Sequence, residues 1–251
     1  MKKNRLKIFL ILFIVNINVI YSQTVTIAAA ADLRYALNDI KIEFLKSNPN
    51  VKVDIIYGSS GNLYQQIVNK APYDIFFSAD IIFPKKLDSL KLCSTKPKLY
   101  AIGFLVLWTS KLDTSKGINL LLDNKVKKIA IANPKHAPYG IRAIEFLKYY
   151  KFYQTVSNKL VEGENISQAA QFALSGNAEI GLIALSLALS PEMMSKGNYI
   201  LLNENSYSAL EQSYVVLKDA ETKANVMKFY NFIGTNEARK IFTKYGFRLP
   251  K

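Results

Sequence analysis

From residue 24 onward, the hydrophobic positions switch repeatedly between two periods. "VTIAA" is a short apolar run of strand type, and after Asp32 the residues Leu33, Ala36, Leu37, Ile40 and Phe44 recur at helical spacing. "NPN" (48–50) closes that helix, and "VKVDIIY" alternates at Val51, Val53, Ile55 and Tyr57, as a half-buried strand does. "GSSGN" then leads into a helix with Leu63, Ile67 and Val68 on its apolar face, and "YDIFFSA" (73–79) reads as a buried strand. "LYAIGFLVLW" (99–108) is long for one strand and predicts a passage between two lobes, with a bend at Gly103. "KKIAIA" (127–132), "AEIGLIAL" and "SYVVLK" (213–218) are further strands. "IRAIEFLKYY", "ENISQAAQFALSG", "ANVMKFYNFIG" and "NEARKIFTKYG" are helices, and the last three stop at glycines, which suit the residue just past a helix end. Alternating strands and helices predict an α/β fold with mostly parallel sheets. Ligands of such sheets bind where strands hand over to helix N-termini.

Three of these handovers carry candidate chemistry. "YGSSGNL" brings Ser59 and Ser60 between two glycines at the start of a helix. Hydroxyls and the unpaired first N–H groups of a helix suit a small anion, although Ser60 could equally be only a helix cap. "NPKHAPYG" sets Tyr139 at a helix entry, with His136 expected to face solvent. "GENISQA" places Asn165 as an N-cap with Gln168 three residues on, which leaves Ile166 in the first turn with a free backbone N–H. These are neutral donors, suited to a desolvated oxyanion held by hydrogen bonds. "GSSG" is not a nucleophile elbow, nothing local places His136 near Ser59 or Ser60, and neither a phosphate-binding loop nor a dinucleotide fingerprint occurs.

Composition narrows the classes. Half the residues are hydrophobic and 21% are charged, so a packed core is expected. The formal charge is +14, but the basic residues are scattered and match no nucleic-acid motif. A single cysteine, Cys93, precludes an internal disulfide, and a single histidine, His136, argues against a histidine-based zinc site. "MKKNRLK" followed by the 14-residue apolar run "IFLILFIVNINVIY" has the form of a secretory signal peptide over 1–22, with cleavage expected near Ser22. That run is short for a membrane span of about 20 residues.

"AAAADLRYALNDI", "GSSGNLYQQI", "APYDIFFSAD", "NPKHAPYG", "GENISQA", "GLIALS" and "ARKIFTKYGF" resemble, in order, the motifs of periplasmic molybdate-binding proteins of ABC transporters, over roughly 24–250. The resemblance implies a two-lobed fold of the periplasmic-binding-protein type (type II), with a ligand cleft between α/β lobes. Lobe one is expected at 24–102 plus 216–251 and lobe two at 103–215. It implies capture of molybdate or tungstate by hydrogen bonds, delivery to a membrane permease, a monomer in the periplasm, no cofactor and no enzymatic activity. Molybdenum would be reached only through the oxyanion oxygens. The matching positions are Ala31, Asp32, Ser60, Tyr139 and Ile166, the last through its backbone N–H. Two positions depart from the family pattern: Asp32 stands where serine or asparagine is usual, and Ala184 where many members have a ligand-binding tyrosine, whose hydroxyl Tyr139 could replace.

An ionised Asp32 would repel a dianion in a poorly hydrated cleft. Three resolutions are open: the carboxylate caps its own helix, it is protonated and donates a hydrogen bond, or the ligand is different. The cap is the expected one, because Asp is among the best N-cap residues. The alternatives in function are a binder of another oxyanion such as sulfate, a hydrolase or transferase using Ser59 or Ser60, and a sensor domain, against which the signal peptide counts.

Overall fold

The computed structural model describes residues 24–250. The expected signal peptide (1–22) lies outside the described residues. No described helix is long and apolar enough to cross a membrane.

Two five-stranded sheets form two lobes. In the first, the order is β2-β1-β3-β10-β4, built from β1 (Val25–Ala30), β2 (Val53–Gly58), β3 (Ile75–Ser78), β4 (Lys98–Gly103) and β10 (Leu210–Val216). In the second it is β7-β6-β8-β5-β9, from β5 (Leu105–Thr109), β6 (Ile129–Ala132), β7 (Leu160–Gly163), β8 (Ile180–Ala184) and β9 (Asn198–Leu201). The two orders are the same pattern. Three strands lie parallel, a reversed strand (β10 or β5) pairs antiparallel with the third, and an outer strand completes the sheet. Each reversed strand is the one the chain enters on arriving from the other lobe.

Helices cover the sheets. The first lobe carries α1 (Arg34–Ser47), α2 (Ser60–Val68), α3 (Ile82–Ser89), α9 (Ala224–Phe232) and α10 (Asn236–Lys244). The second carries α4 (Pro138–Tyr149), α5 (Tyr153–Val156), α6 (Ile166–Leu174), α7 (Leu185–Ala188) and α8 (Pro191–Lys196). The apolar stripe expected after Asp32 is buried along α1 and the residue before it: Leu33, Ala36, Leu37, Ile40 and Phe44 are all buried. Phe44 packs edge-on against Phe229 of α9 at 5.0 Å. The β3 run is buried on both faces, and Phe77 stacks on Tyr214 of β10 at 5.1 Å. Val68, expected on the apolar face, is exposed because it is the last residue of α2.

The chain crosses between lobes twice. At the first crossing only Phe104 separates β4 from β5. The second runs through 202–209. Residues 210–215, expected in lobe two, pair instead in the first sheet as part of β10, so the chain returns to lobe one before Leu210 rather than at 216. The strand expected at 213–218 therefore starts earlier; its polar residues Glu211 and Gln212 hide the apolar period. The tail touches both crossings. Arg248 exchanges backbone hydrogen bonds with Ile102, its guanidinium lies 5.0 Å from the Phe104 ring, and it pairs with Glu204 at 3.0 Å.

Candidate functional site

Four helix N-termini, two from each lobe, converge on one small cavity between the lobes. Its lining includes Ala31 and Asp32 after β1, Ser59 and Ser60 after β2, Tyr139 after β6 and Ile166 after β7. All five residues singled out in the sequence (Ala31, Asp32, Ser60, Tyr139 and Ile166) are thus brought together. The cavity is small, with about 10 Å³ of room for the centre of a water-sized sphere, far below the ~300–1,000 Å³ of sites for drug-sized ligands. No lysine or arginine lines it, and no cluster of His, Cys, Asp and Glu among the described residues could hold a bare metal ion.

The local sequence explains why the donors face inward. Ile166 is the first residue of α6, whose N-cap Asn165 accepts the Gln168 N–H at 3.1 Å, so the Ile166 N–H has no intrahelical acceptor. Gln168 reaches back to the Glu164 N–H at 2.6 Å and completes the box one residue earlier than the usual pattern. In α4, Pro138 holds the first position, where its missing N–H is harmless, and Tyr139 follows with a free one. A 3₁₀ turn, Ala31–Leu33, precedes α1, and its first N–H groups likewise lack helical acceptors. In α2 the cap is Ser59, not Ser60: Ser59 Oγ accepts the Asn62 N–H at 3.4 Å. Ser60 Oγ accepts the Ala79 N–H at 2.9 Å, which leaves its own O–H to donate.

Asp32 does not cap its helix. The 3₁₀ turn begins after Ala30 with no side-chain cap, and α1 likewise has none. The Asp32 carboxyl points instead into the buried region between the lobes, where Gln212 Nε2 of β10 donates to Oδ2 at 2.6 Å. Gln212 Nε2 also reaches Tyr139 Oη at 3.2 Å, and Gln212 Oε1 accepts from Tyr100 Oη at 2.6 Å. Burial pushes the Asp32 carboxyl up to about 6, against a smaller opposing pull from Gln212 and Tyr139. Burial also raises the Tyr139 and Tyr100 hydroxyls well above the ordinary tyrosine range. Asp32, whose carboxyl burial pushes up to about 6, is thus one of the residues that line the cavity between the lobes.

Gln212 is the residue the sequence reading missed. Its signal is a neutral polar side chain in the middle of a buried strand, beside an irregularity in pairing at Gln212/Ser213. Gly103 has a different reason from the expected bend. Its φ is not positive; a Cβ there would collide with Tyr139 Oη and lie 2.7 Å from Gln212 Nε2. Ala184 is fully buried at the end of β8, and the Tyr139 hydroxyl reaches across to lobe one instead.

The lobes touch directly around the cavity. Ser167 Oγ donates to the Ala31 carbonyl and Ser186 Oγ to the Asp32 carbonyl, both at 2.8 Å. His136, expected to face solvent, is half-buried at this seam. Its Nδ1 lies 2.8 Å from Ser59 Oγ, and its carbonyl accepts the Gly61 N–H at 2.8 Å. The approach of α2 brings the two together, which no local sequence feature encodes. This pair does not make a nucleophile–base couple on the hydrolase pattern: Ser59 is committed to capping α2, and His136 has no carboxylate partner among the described residues.

The comparisons with known proteins agree with this geometry. Residues 25–248 match the family model described as "Bacterial extracellular solute-binding protein". Over 221 residues the chain is 34% identical to the molybdate-binding protein ModA of Rhodobacter capsulatus, covering 88% of this chain and 86% of that one. It is 32% identical to the ModA of Azotobacter vinelandii, covering 90% of each. The solved structure of the Azotobacter vinelandii periplasmic molybdate-binding protein superposes with a TM-score of 0.84 at 32% identity, over 90% of this chain and all of that one. The chain belongs to the family of bacterial extracellular solute-binding proteins.

Proposed function

We propose that the protein captures molybdate or tungstate in the cavity between its lobes and delivers it to the permease of an ABC transporter. The observation that carries this reading is the meeting of four helix N-termini on one small cavity that no lysine or arginine lines. Backbone N–H groups at Ala31, Asp32, Tyr139 and Ile166 and the Ser60 hydroxyl supply neutral donors for tetrahedral oxygens. The relatives named as molybdate-binding proteins, at 32–34% identity over most of the chain, support the choice of anion. In this reading the protein is exported after cleavage near Ser22, works as a monomer without a cofactor, and performs no catalysis. Sulfate has the same tetrahedral chemistry and is the competing ligand.

Calorimetry with molybdate, tungstate, sulfate and phosphate tests the proposal. One molybdate or tungstate per chain is the expected result. Binding of sulfate or phosphate with no response to either of the larger anions would overturn it.

A further inference from the structure

The donor set around the cavity contains one group of the wrong kind. Asp32 is fully buried, and its Oδ1 has no hydrogen-bond partner among the described residues. Oδ2 is occupied by the Gln212 Nε2–H at 2.6 Å. Gln212 is locked in that orientation, because its Oε1 already accepts from Tyr100 Oη at 2.6 Å. A proton on the Asp32 carboxyl therefore has one place to sit, Oδ1. A bare carboxylate oxygen lining this cavity would repel a dianion by several kcal/mol even at an effective dielectric constant of ~20. A protonated one would be a further hydrogen-bond donor.

We propose that Asp32 makes capture proton-coupled: one proton enters the site with each oxyanion and is held on Asp32 Oδ1, which donates it as a hydrogen bond to a ligand oxygen. This rests on the oxyanion reading of the cavity and adds a specificity-determining role for Asp32. The proton comes from water and remains a proton on the carboxyl; nothing is oxidised or reduced, and the anion stays fully deprotonated.

Burial is the dominant influence on Asp32 and favours the protonated form, while the hydrogen bonds from Gln212 of β10 and Tyr139 of α4 pull the other way. Tyr139 of α4 and Tyr100 of β4 are neutral hydroxyls. Asp80, itself pushed up by burial and with Arg142 acting on it, influences Tyr100, and Tyr207 of the second crossing, another neutral hydroxyl, influences Tyr139. No lysine or arginine forms an ion pair with Asp32 among the described residues. Burial, net of these hydrogen bonds, holds the carboxyl up to about 6, and a bound dianion raises it further.

The test is calorimetry of the intact protein with molybdate at pH 7.5 in two buffers of different protonation enthalpy. Uptake of close to one proton per molybdate is expected, with affinity falling about tenfold per pH unit between pH 7 and 9. Asp32→Asn carries a permanent donor in place of Oδ1 and should bind with no proton uptake and a flat pH profile. Asp32→Ser serves the same purpose should the Asn variant not fold. Zero uptake by the wild type with pH-independent affinity would overturn the proposal and leave the functional reading intact. Failure of both molybdate and tungstate to bind at any pH from 6 to 9 would instead remove the functional reading and this proposal with it.

Discussion

The two lobes have the same strand order and offer the cavity the same scaffold, yet they furnish it differently. Lobe two contributes the starts of α4 and α6, where the inward groups are backbone N–H and one neutral phenol, Tyr139. Lobe one contributes the 3₁₀ turn before α1 and the start of α2, and there the side chains speak: Ser60, and Asp32 with its Gln212 support. The repeated topology fixes where dipoles meet, twice over. The chemistry that distinguishes one anion from another, or one pH from another, is concentrated on one wall.

That asymmetry can be broken at its strongest point. An Asp32 that ionises near 6 in the folded protein and near 3.8 in an unfolded chain favours folding when protonated. Its contribution is whole below the unfolded value and is lost as pH rises through about 6, a loss of about 3 kcal/mol. Asp32→Asn should therefore make the ligand-free protein more stable than wild type by about 3 kcal/mol at pH 8, with little difference at pH 4, as read by urea denaturation. Equal stabilities at pH 8 would return Asp32 to the status of an ordinary side chain.

A second change attacks the seam where the walls meet. A Cβ on Gly61 would stand 2.7 Å from the His136 carbonyl oxygen and 2.9 Å from its Cα, atoms of the opposite lobe that cannot rotate away. The clash exists only while the lobes touch. Gly61→Ala should thus weaken molybdate binding by up to about a hundredfold, the ~1–3 kcal/mol of overpacking, while the melting temperature of the empty protein stays close to wild type. A large loss of melting temperature with unchanged affinity would contradict this.

Next come the individual donors. Ser60→Ala removes a hydroxyl donor and strands the Ala79 N–H, so a loss of roughly tenfold in affinity is expected, on the order of 1–2 kcal/mol. On the other wall the matching change is Ile166→Pro. Proline is tolerated at the first helical position, and Asn165 before it is extended at φ −144° and ψ 176°. The variant deletes little of the site but the N–H and should also lose about tenfold. The smallest effect sharpens the point: Ile166→Val keeps the N–H and should leave affinity within about twofold, at about 1 kcal/mol of stability. A titration series on these three variants checks the set.

The contrast between walls also explains what the sequence could tell. Helical spacing from Leu33 to Phe44, the Asn165–Gln168 box and the Pro138 entry are local signals, and each marks a helix start that lines the cavity. Gln212, the meeting of His136 with Ser59, and the early return at Leu210 depend on partners 77 to 180 residues away. Asp32 shows the boundary between the two kinds of information. Its place at a strand-to-helix turn suggested a cap by propensity, but a buried partner on β10 competes for the carboxyl and wins.

The single residue at the first crossing has a mechanical consequence. One extended residue spans no more than about 3.6 Å, so the facing ends of β4 and β5 stay together, and any parting of the lobes must turn close to Phe104. Arg248, seated on Phe104 and joined to Glu204, ties the tail to both crossings at that place. Across the seam Asn62 of α2 donates to Glu164 at 3.4 Å, a contact between the lobes that any such turning would stretch.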